Sequence, residues 1–199
     1  MAPRWAYCRH HVIGGSHYAY TEALSDARGE HNFPTKYSAL CLMEPAPNGL
    51  WRETVLADTE TGCFRDVDVS FDGKRLLYSY KGSARGDDFH LYEMDLETRA
   101  VKQLTFGEGF ADYEACYLPS GQIIFNSTRC VQIVDCAHAD VSNLFRCEAD
   151  GSRITRLTYD QVHDNFPTLT WDDRILYTRW EYNDRSQIYM QPLFGMSLD

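Results

Sequence analysis

The sequence predicts an all-β protein built from a repeated four-stranded unit, and three observations favour this fold class. Aromatic residues make up 14% of the 199 residues, and such side chains fit the pleated, half-buried surface of a sheet. Short runs of alternating apolar and polar residues are separated by turn sequences such as Asp-Gly. No long segment carries the 3.6-residue apolar period of an amphipathic helix.

The repeated unit occurs three times. The copies begin with FRDVDVSFDGKRLLYSY at Phe64, DYEACYLPSGQIIFNSTR at Asp112 and DNFPTLTWDDRILYTRW at Asp164. An internal turn recurs about every 50 residues, a period typical of repeat architectures. The turn positions are Gly73, Gly121 and Asp173.

Each unit is predicted to form four strands. In the first unit these are Val67–Phe71, Arg75–Tyr80, Phe89–Asp95 and Val101–Thr105. The turn Asp72-Gly73 predicts a tight hairpin in which both residues adopt positive φ.

Four-stranded units of this length predict a β-propeller. An incomplete unit precedes the three copies, with Ser38–Met43 and Trp51–Leu56 as its third and fourth strands, and the last copy contains only three strands. We therefore expect a single partial propeller domain over residues 1–199, with about 3.5–4 blades. Residues 1–62 contain the N-terminal segment and the first incomplete blade. The successive blades are 63–105, 106–158 and 159–199, the last of them incomplete. A closed propeller usually needs four to eight blades, so this count predicts either a truncated propeller or closure by self-association.

Composition excludes some functions and leaves others open. Acidic residues number 29 and basic residues 19, giving a net charge of −10, which disfavours nucleic-acid binding. No run approaches the 18 apolar residues of a membrane span, and the first residues lack the apolar segment of a secretory signal peptide. The 7 cysteines are an odd number, so at least one stays unpaired within the chain.

One rim of the predicted propeller gathers most of the reactive side chains. Connections from the second to the third strand, and from the fourth strand to the next blade, lie on the same face, here called the top face. Long loops on a rigid scaffold often carry binding residues. We expect ligand-binding residues at Asp66, Asp112, Tyr113, Glu114, His163, Asn165, Arg179 and Glu181.

Two chemical interpretations of this rim remain open. The carboxylates and the imidazole of His163 can bind a cation or take part in acid–base chemistry. Alternatively, the same groups form hydrogen bonds to the backbone of neighbouring blades. No Gly-x-Ser-x-Gly, Walker, His-Glu-x-x-His or Gly-x-Gly-x-x-Gly motif is present.

Cys130 and Cys136 lie in one predicted loop, with five residues between them. They can form a disulfide, remain free thiols, or bind a metal together with His138 or His163. Zinc needs three or four convergent ligands, and the spacing C-x5-C-x-H matches no common zinc module. The sequence does not choose among these alternatives.

The repeats resemble those of TolB-type propellers, through the Asp-Gly turn, the apolar strand after it and a closing Arg-Leu-Thr, over roughly 64–194. Longer segments resemble the propeller-like middle domain of proteins related to the alpha subunit of hydrazine synthase. They include GGSHYAYTEALSDA at 14–27, DDFHLYEMDLET at 87–98, TFGEGFADYEACYLPSGQIIFNSTRC at 105–130, DQVHDNFPT at 160–168 and ILYTRWEYNDRSQIYMQPLF at 175–194.

This resemblance implies a six- or seven-bladed propeller within a longer bacterial protein that is periplasmic or extracellular. The enzyme of the family uses c-type haems and a zinc ion. No Cys-x-x-Cys-His motif exists here, since Cys8-Arg9-His10 and Cys136-Ala137-His138 lack it. We therefore expect no cofactor in this chain, and zinc or haem only in a full-length parent.

Three functions follow as hypotheses. The first is a non-catalytic binding or scaffold module, whose partner is the rest of the propeller and the C-terminal region of a longer protein, or a second copy. The second is part of a metal- or haem-dependent redox active site completed by a missing C-terminal region. The third is a carbohydrate-binding or carbohydrate-active propeller, because the loops are rich in Tyr and Trp and hold paired carboxylates.

Overall fold

The fold consists of four antiparallel β-sheets that follow one another along the chain. The computed structural model describes residues 3–10, 37–83, 86–135, 139–182 and 190–198. The first sheet contains β1 (Trp5–His10), β2 (Ser38–Pro45) and β3 (Trp51–Thr59). The second contains β4 (Cys63–Val69), β5 (Arg75–Lys81), β6 (His90–Asp95) and β7 (Val101–Gln103).

The other two sheets repeat this arrangement. The third contains β8 (Asp112–Tyr117), β9 (Ile123–Ser127), β10 (Asn143–Cys147) and β11 (Thr155–Arg156). The fourth contains β12 (Asp164–Leu169), β13 (Ile175–Arg179) and β14 (Leu193–Met196). The all-β prediction is confirmed, and within the described ranges no helix is long and apolar enough to cross a membrane.

Strand direction relates the first sheet to the others. β3 leads into β4 through only three residues, so β3 ends at the top face, where β4 begins. Because β1 is parallel to β3, β1 also runs toward the top face. It therefore has the direction of the second strand in the other sheets, and β2 and β3 correspond to the third and fourth strands.

Apolar clusters between consecutive sheets form the core. Leu76 of β5 packs with Leu40 and Tyr78 between the first and second sheets. Its neighbour Leu77 packs with Phe125 between the second and third sheets. Successive side chains of a strand point to opposite faces, so one strand serves two interfaces. The same alternation places Ile124 and Ile175 between the third and fourth sheets.

The predicted two-residue hairpin at Asp72-Gly73 is wrong. Only Gly73 has a positive φ, of 69°, and its N–H donates to the Ser70 carbonyl at 2.8 Å. The Asp72 carboxylate accepts hydrogen bonds from Ser70 Oγ at 2.6 Å and from the Lys74 N–H at 3.1 Å. These side-chain bonds stabilise a wider turn. The N–H of Gly121 and that of Asp173 likewise donate to the carbonyl three residues earlier.

The first strand of each complete unit begins earlier than predicted. β4 starts at Cys63, whereas the alternating pattern suggested a start at Val67. Its register with β5 shifts between Arg65 and Asp68, and such a β-bulge interrupts the alternation that sequence reasoning relies on. Five of the residues expected on top-face loops therefore lie in these first strands: Asp66, Asp112, Tyr113, Glu114 and Asn165. A sixth, Arg179, is the last residue of β13.

Candidate functional site at the inner strands

Three bulged strands line a cavity of about 380 Å³. β4, β8 and β12 are edge strands of their sheets, and β4 packs on β8, which packs on β12. We call them the inner strands. The cavity is lined by their equivalent segments, 66–68, 114–116 and 166–168.

The bulges place one residue of each inner strand in the left-handed region. Asp66, Glu114 and Phe166 have φ values of 54°, 51° and 55°. Non-glycine residues rarely adopt this conformation, so the backbone is strained at three equivalent positions. Backbone strain of this kind persists only where surrounding interactions hold it.

Side-chain carboxylates provide part of that support. The Glu114 N–H donates to Asp66 Oδ2 at 3.2 Å, and the Phe166 N–H donates to Glu114 Oε2 at 2.7 Å. Each carboxylate thus accepts the N–H of the bulge in the next sheet. The result is a chain of hydrogen bonds that joins three sheets.

A second hydrogen bond between inner strands lies two residues after Asp66. The Tyr117 N–H donates to Asp68 Oδ2 at 2.8 Å. Burial raises the pKa of Asp68, against the opposing effect of the Tyr117 N–H. Burial also raises the pKa of Cys116 to about 12, so this thiol stays protonated and unreactive at neutral pH.

Glu114 is the centre of the polar network. Its Oε1 accepts from Arg65 Nη2 at 3.1 Å, and its Oε2 accepts from Asn126 Nδ2 at 2.7 Å as well as from the Phe166 N–H. Asn126 Nδ2 also donates to Asn165 Oδ1 at 3.1 Å. Burial, with the nearby carboxylate of Asp66, raises the pKa of Glu114, and the Arg65 guanidinium opposes this rise.

Arg65 is a buried cation between two carboxylates. Its guanidinium bonds both Asp66 and Glu114. It also lies 5.5 Å from the ring centre of Phe89 and 5.2 Å from that of Tyr113. A buried charge with several partners is costly to disturb, because removing one partner leaves the others uncompensated.

Bidentate Asp–Arg pairs close the top ends of β8 and β12. Arg129 donates to the two carboxylate oxygens of Asp112 at 2.9 and 2.7 Å. Arg179 donates to those of Asp164 at 2.8 and 3.3 Å. Burial alone would raise the pKa of Asp112, but the His90 imidazole, 3.5 Å from its Oδ2, and the bonds from Arg129 hold this pKa below its usual value. Burial raises the pKa of Asp164 despite Arg179.

His163 is buried within the structure. Its ring stacks on Trp180 with centroids 5.6 Å apart, and its Nδ1 accepts the Ser142 N–H at 3.1 Å. The imidazole therefore contributes to packing between the third and fourth sheets.

The structure divides the predicted ligand-binding residues into separate groups. Asp66, Glu114 and Asn165 belong to one network, whereas Asp112 and Arg179 belong to the two Asp–Arg pairs. Tyr113 is buried beneath Arg65, and Glu181 is partly exposed, with its N–H bonded to the Met190 carbonyl at 3.1 Å. Ligand binding by these residues stays a prediction.

The proposed cysteine site is only partly visible. Cys130 Sγ lies 3.0 Å from the Val141 carbonyl oxygen, while Cys136 and His138 lie outside the described residues. Within the described residues, no group of three or more His, Cys, Asp or Glu side chains can hold a metal ion. Because Cys136 and His138 are not among those residues, both the metal site and the disulfide stay predictions.

The sequence analysis missed two members of the network, Arg65 and Asn126. The recurrence of equivalent positions about every 50 residues points to the carboxylates of Asp66, Asp68 and Glu114. Arg65 and Asn126 carried no comparable signal, because their partners are far away in sequence.

Comparisons with known proteins support the fold. No family model matches the chain. An uncharacterized protein of Agrobacterium fabrum is 34% identical over 97 residues, which is 48% of this chain and 29% of that protein. The chain thus spans less than a third of the length of this curated relative.

Two solved structures resemble the chain closely enough to show its architecture. Hydrazine synthase of Kuenenia stuttgartiensis has a TM-score of 0.71 at 15% identity, covering 96% of this chain and 30% of that one. TolB of Acinetobacter baumannii has a TM-score of 0.58 at 22% identity, covering 82% of this chain and 36% of that one. At such low identity the similarity shows the fold alone, a propeller-like arrangement of sheets.

Proposed function

We propose that this chain is a non-catalytic propeller module that binds or scaffolds within a larger exported protein related to the alpha subunit of hydrazine synthase. The observation that carries the proposal is the state of Glu114. This carboxylate is the most central ionisable group at the cavity, and donors from three sheets already occupy both of its oxygens.

A general base needs a free lone pair within reach of a substrate proton. Glu114 is buried and accepts three hydrogen bonds from within the protein, so its oxygens are turned toward protein donors. Its geometry therefore supports a structural role.

The Asp–Arg pairs support the same conclusion. Asp112 and Asp164 are fully buried. Asp112 is bound by Arg129, in the loop after β9, and Asp164 by Arg179, at the end of β13. A carboxylate bound in this bidentate way is oriented by its partner. Asp112 and Asp164 therefore stabilise the top ends of β8 and β12. We expect a partner to bind at the exposed surfaces instead.

The partner and the location follow from the sequence resemblance. We expect the module to contact other blades and the C-terminal region of a longer protein, or a second copy, in the periplasm or outside the cell. The two structural relatives are about three times as long as the matched region, as the coverage of 30% and 36% indicates.

A redox function is the second candidate, because the hydrazine synthase structure matches almost the entire chain. In that case this chain would form one wall of a metal or haem site, with the remaining ligands in a region outside it. Cys130 is the described cysteine in the predicted metal loop, and burial raises the pKa of its thiol, which disfavours the thiolate that a metal needs.

Metal analysis separates the two candidates. The full chain is incubated with zinc, passed through gel filtration, and its zinc content is measured by mass spectrometry. A module of the proposed kind retains only substoichiometric zinc. Retention of one equivalent, lost in Cys130→Ser but kept in the buried core variant Cys147→Ser, would contradict the proposal.

A further inference from the structure

A short hairpin lies on the top face, in the connection between β9 and β10. The Val141 N–H donates to the Gln132 carbonyl at 2.8 Å, and the Val134 N–H donates to the Ala139 carbonyl at 2.9 Å. The two arms of this hairpin are therefore antiparallel, and successive side chains of each arm lie on opposite sides.

The two sides of the first arm have different surroundings. Val134 is buried against Val162 and Trp180, and the Gln132 side chain bonds the segment that leads to the fourth sheet. On the opposite side, Ile133 is 51% exposed. The hairpin thus has an apolar residue on the side that faces solvent as well as on the side that faces the core.

Val131 precedes this arm and has an unfavourable backbone conformation. Its φ is 53°, and its side chain is 89% exposed. A β-branched residue rarely adopts the left-handed region, where glycine or asparagine fits better. The exposed side chain contributes little packing that could offset this strain, so the choice of valine points to a role outside the folding of the chain.

Two exposed aromatic residues flank the hairpin. Phe106 and Tyr159 each follow a Leu-Thr pair at the end of an outer strand, and they are 63% and 73% exposed. Arg129 Nη2 donates to the Phe106 carbonyl at 3.1 Å. Gln132 Nε2 lies 3.5 Å from the carbonyl oxygen of Asp160, the residue after Tyr159. These contacts bring four apolar side chains to one part of the top face, which we call the hairpin surface: Phe106, Val131, Ile133 and Tyr159.

The hairpin surface is separate from the interfaces between sheets. Its loops follow β7, β9 and β11, which belong to the second and third sheets. Apolar clusters already cover both faces of these two sheets. Sheets stack face to face, whereas the loops lie at the top edge, so an additional sheet at either end of the row would leave this surface exposed.

The exposed charges beside the hairpin surface are acidic. Glu108 and Asp135, each two residues from an apolar member of the surface, are exposed and form no ion pair within the described residues. The nearby cations are directed inward, since Arg129 forms its bidentate pair and Arg156 Nε donates to the Thr158 carbonyl at 2.7 Å. A complementary partner therefore has positive charge next to an apolar side chain.

We propose that the hairpin surface binds a partner protein through an apolar segment that carries Lys or Arg. This inference rests on the proposed function as a binding module, for which it supplies a surface and the chemistry of the partner. A second copy is a poor match, because each chain has a net charge of −10. A lipid bilayer is a poor match as well, because proteins that lie on membranes place Lys or Arg beside their apolar residues.

Fluorescence anisotropy tests the proposal on the full chain, with a labelled synthetic peptide of alternating leucine and lysine as the probe. A peptide of alternating leucine and glutamate is the charge-reversed probe, and phosphatidylcholine vesicles are the lipid probe. All buffers contain a metal chelator. The leucine–lysine peptide is expected to bind, and the other two probes are not.

Val131→Asn separates binding from folding. Asparagine tolerates a positive φ, so the midpoint of urea unfolding should rise, while the affinity for the leucine–lysine peptide should fall about tenfold as the apolar contact is lost. Ile133→Asn, which leaves the strained backbone unchanged, should weaken binding to a similar degree. Val101→Asn is the matched control, because Val101 is 52% exposed on the outer strand β7, and it should leave the affinity unchanged.

Absence of binding to the leucine–lysine peptide overturns the proposal, as does equal binding of the leucine–glutamate peptide or of the vesicles. Binding that neither Val131→Asn nor Ile133→Asn weakens also overturns it. A lower unfolding midpoint in Val131→Asn would contradict it too, because the valine would then be a structural residue. Since the chelator removes zinc, the result does not depend on the zinc retention that tests the module function, and the two failures are distinguishable.

Discussion

A buried carboxylate can stabilise a fold only while its partners compensate its charge, and Asp112 illustrates this at the residue scale. Ser127 Oγ donates to its Oδ1 at 2.6 Å, in addition to the two bonds from Arg129. These donors favour the ionised form and explain why the pKa of Asp112 is lowered in spite of burial.

The lowered pKa has a defined consequence for stability. In the unfolded chain an Asp titrates near about 3.9, above its value in the folded protein. The contribution of Asp112 to the free energy of unfolding is therefore complete above about pH 4 and is lost as the pH falls through the folded-state pKa.

We expect Asp112→Asn to lower the free energy of unfolding by about 2–3 kcal/mol at pH 7, because Arg129 loses its charged partner. The difference from wild type should shrink below about pH 4. Urea unfolding at a series of pH values measures it. Asp173→Asn, in an exposed turn that tolerates asparagine, is the control. A difference that stays constant with pH would contradict the assignment.

Sequence reasoning identified some of these residues but not their roles. Asp112, Glu114 and Asp66 stand out because they recur at equivalent places in the repeats. Their partners Arg65 and Asn126 do not, since a hydrogen bond between sheets depends on how two distant segments pack. The alternative in which these groups bond the backbone of neighbouring blades describes Asp66 and Glu114 correctly.

At the scale of elements, turns and bulges determine where each strand lies. The repeat period and the alternating runs were sufficient to predict most strands, including β5 and β6. They failed at β4, because a bulge at Asp66 shifts the register. The turn at Asp72 also differed, because side-chain bonds to Ser70 and Lys74 stabilise a longer loop than Asp-Gly alone suggests.

Gly151 provides a test of packing at a turn. It has a φ of 86°, and a Cβ atom there would lie 1.9 Å from the Leu104 carbonyl oxygen. Gly121 has the same φ of 86°, with nothing within 4 Å of the corresponding Cβ. The two glycines therefore share the same backbone conformation and differ in their surroundings.

We expect Gly121→Ala to cost about 1 kcal/mol, the usual penalty for a left-handed alanine. Gly151→Ala should cost about 3 kcal/mol, because the added methyl group also displaces the segment at Leu104. Thermal and urea unfolding of both variants measure the difference. Equal losses would show that the third sheet does not pack against Leu104 at this turn.

At the scale of the whole molecule, the network adds polar bonds to the apolar interfaces between consecutive sheets. Repeat proteins often behave as a sum of units and nearest-neighbour interfaces. Glu114 links the two interfaces of the third sheet, because this one side chain accepts hydrogen bonds from the second, third and fourth sheets. We therefore expect the inner strands to open together.

Native-state hydrogen exchange tests whether Glu114 couples the inner strands. In the wild-type chain, amides of β4, β8 and β12 should exchange with one common free energy of opening. Glu114→Ala should lower that value by about 3 kcal/mol in all three strands, because donors in three sheets lose their acceptor. Glu97→Ala, in an exposed turn, should change nothing. Three different opening free energies in the wild type, or a loss confined to β8, would contradict the claim that Glu114 holds the inner strands together.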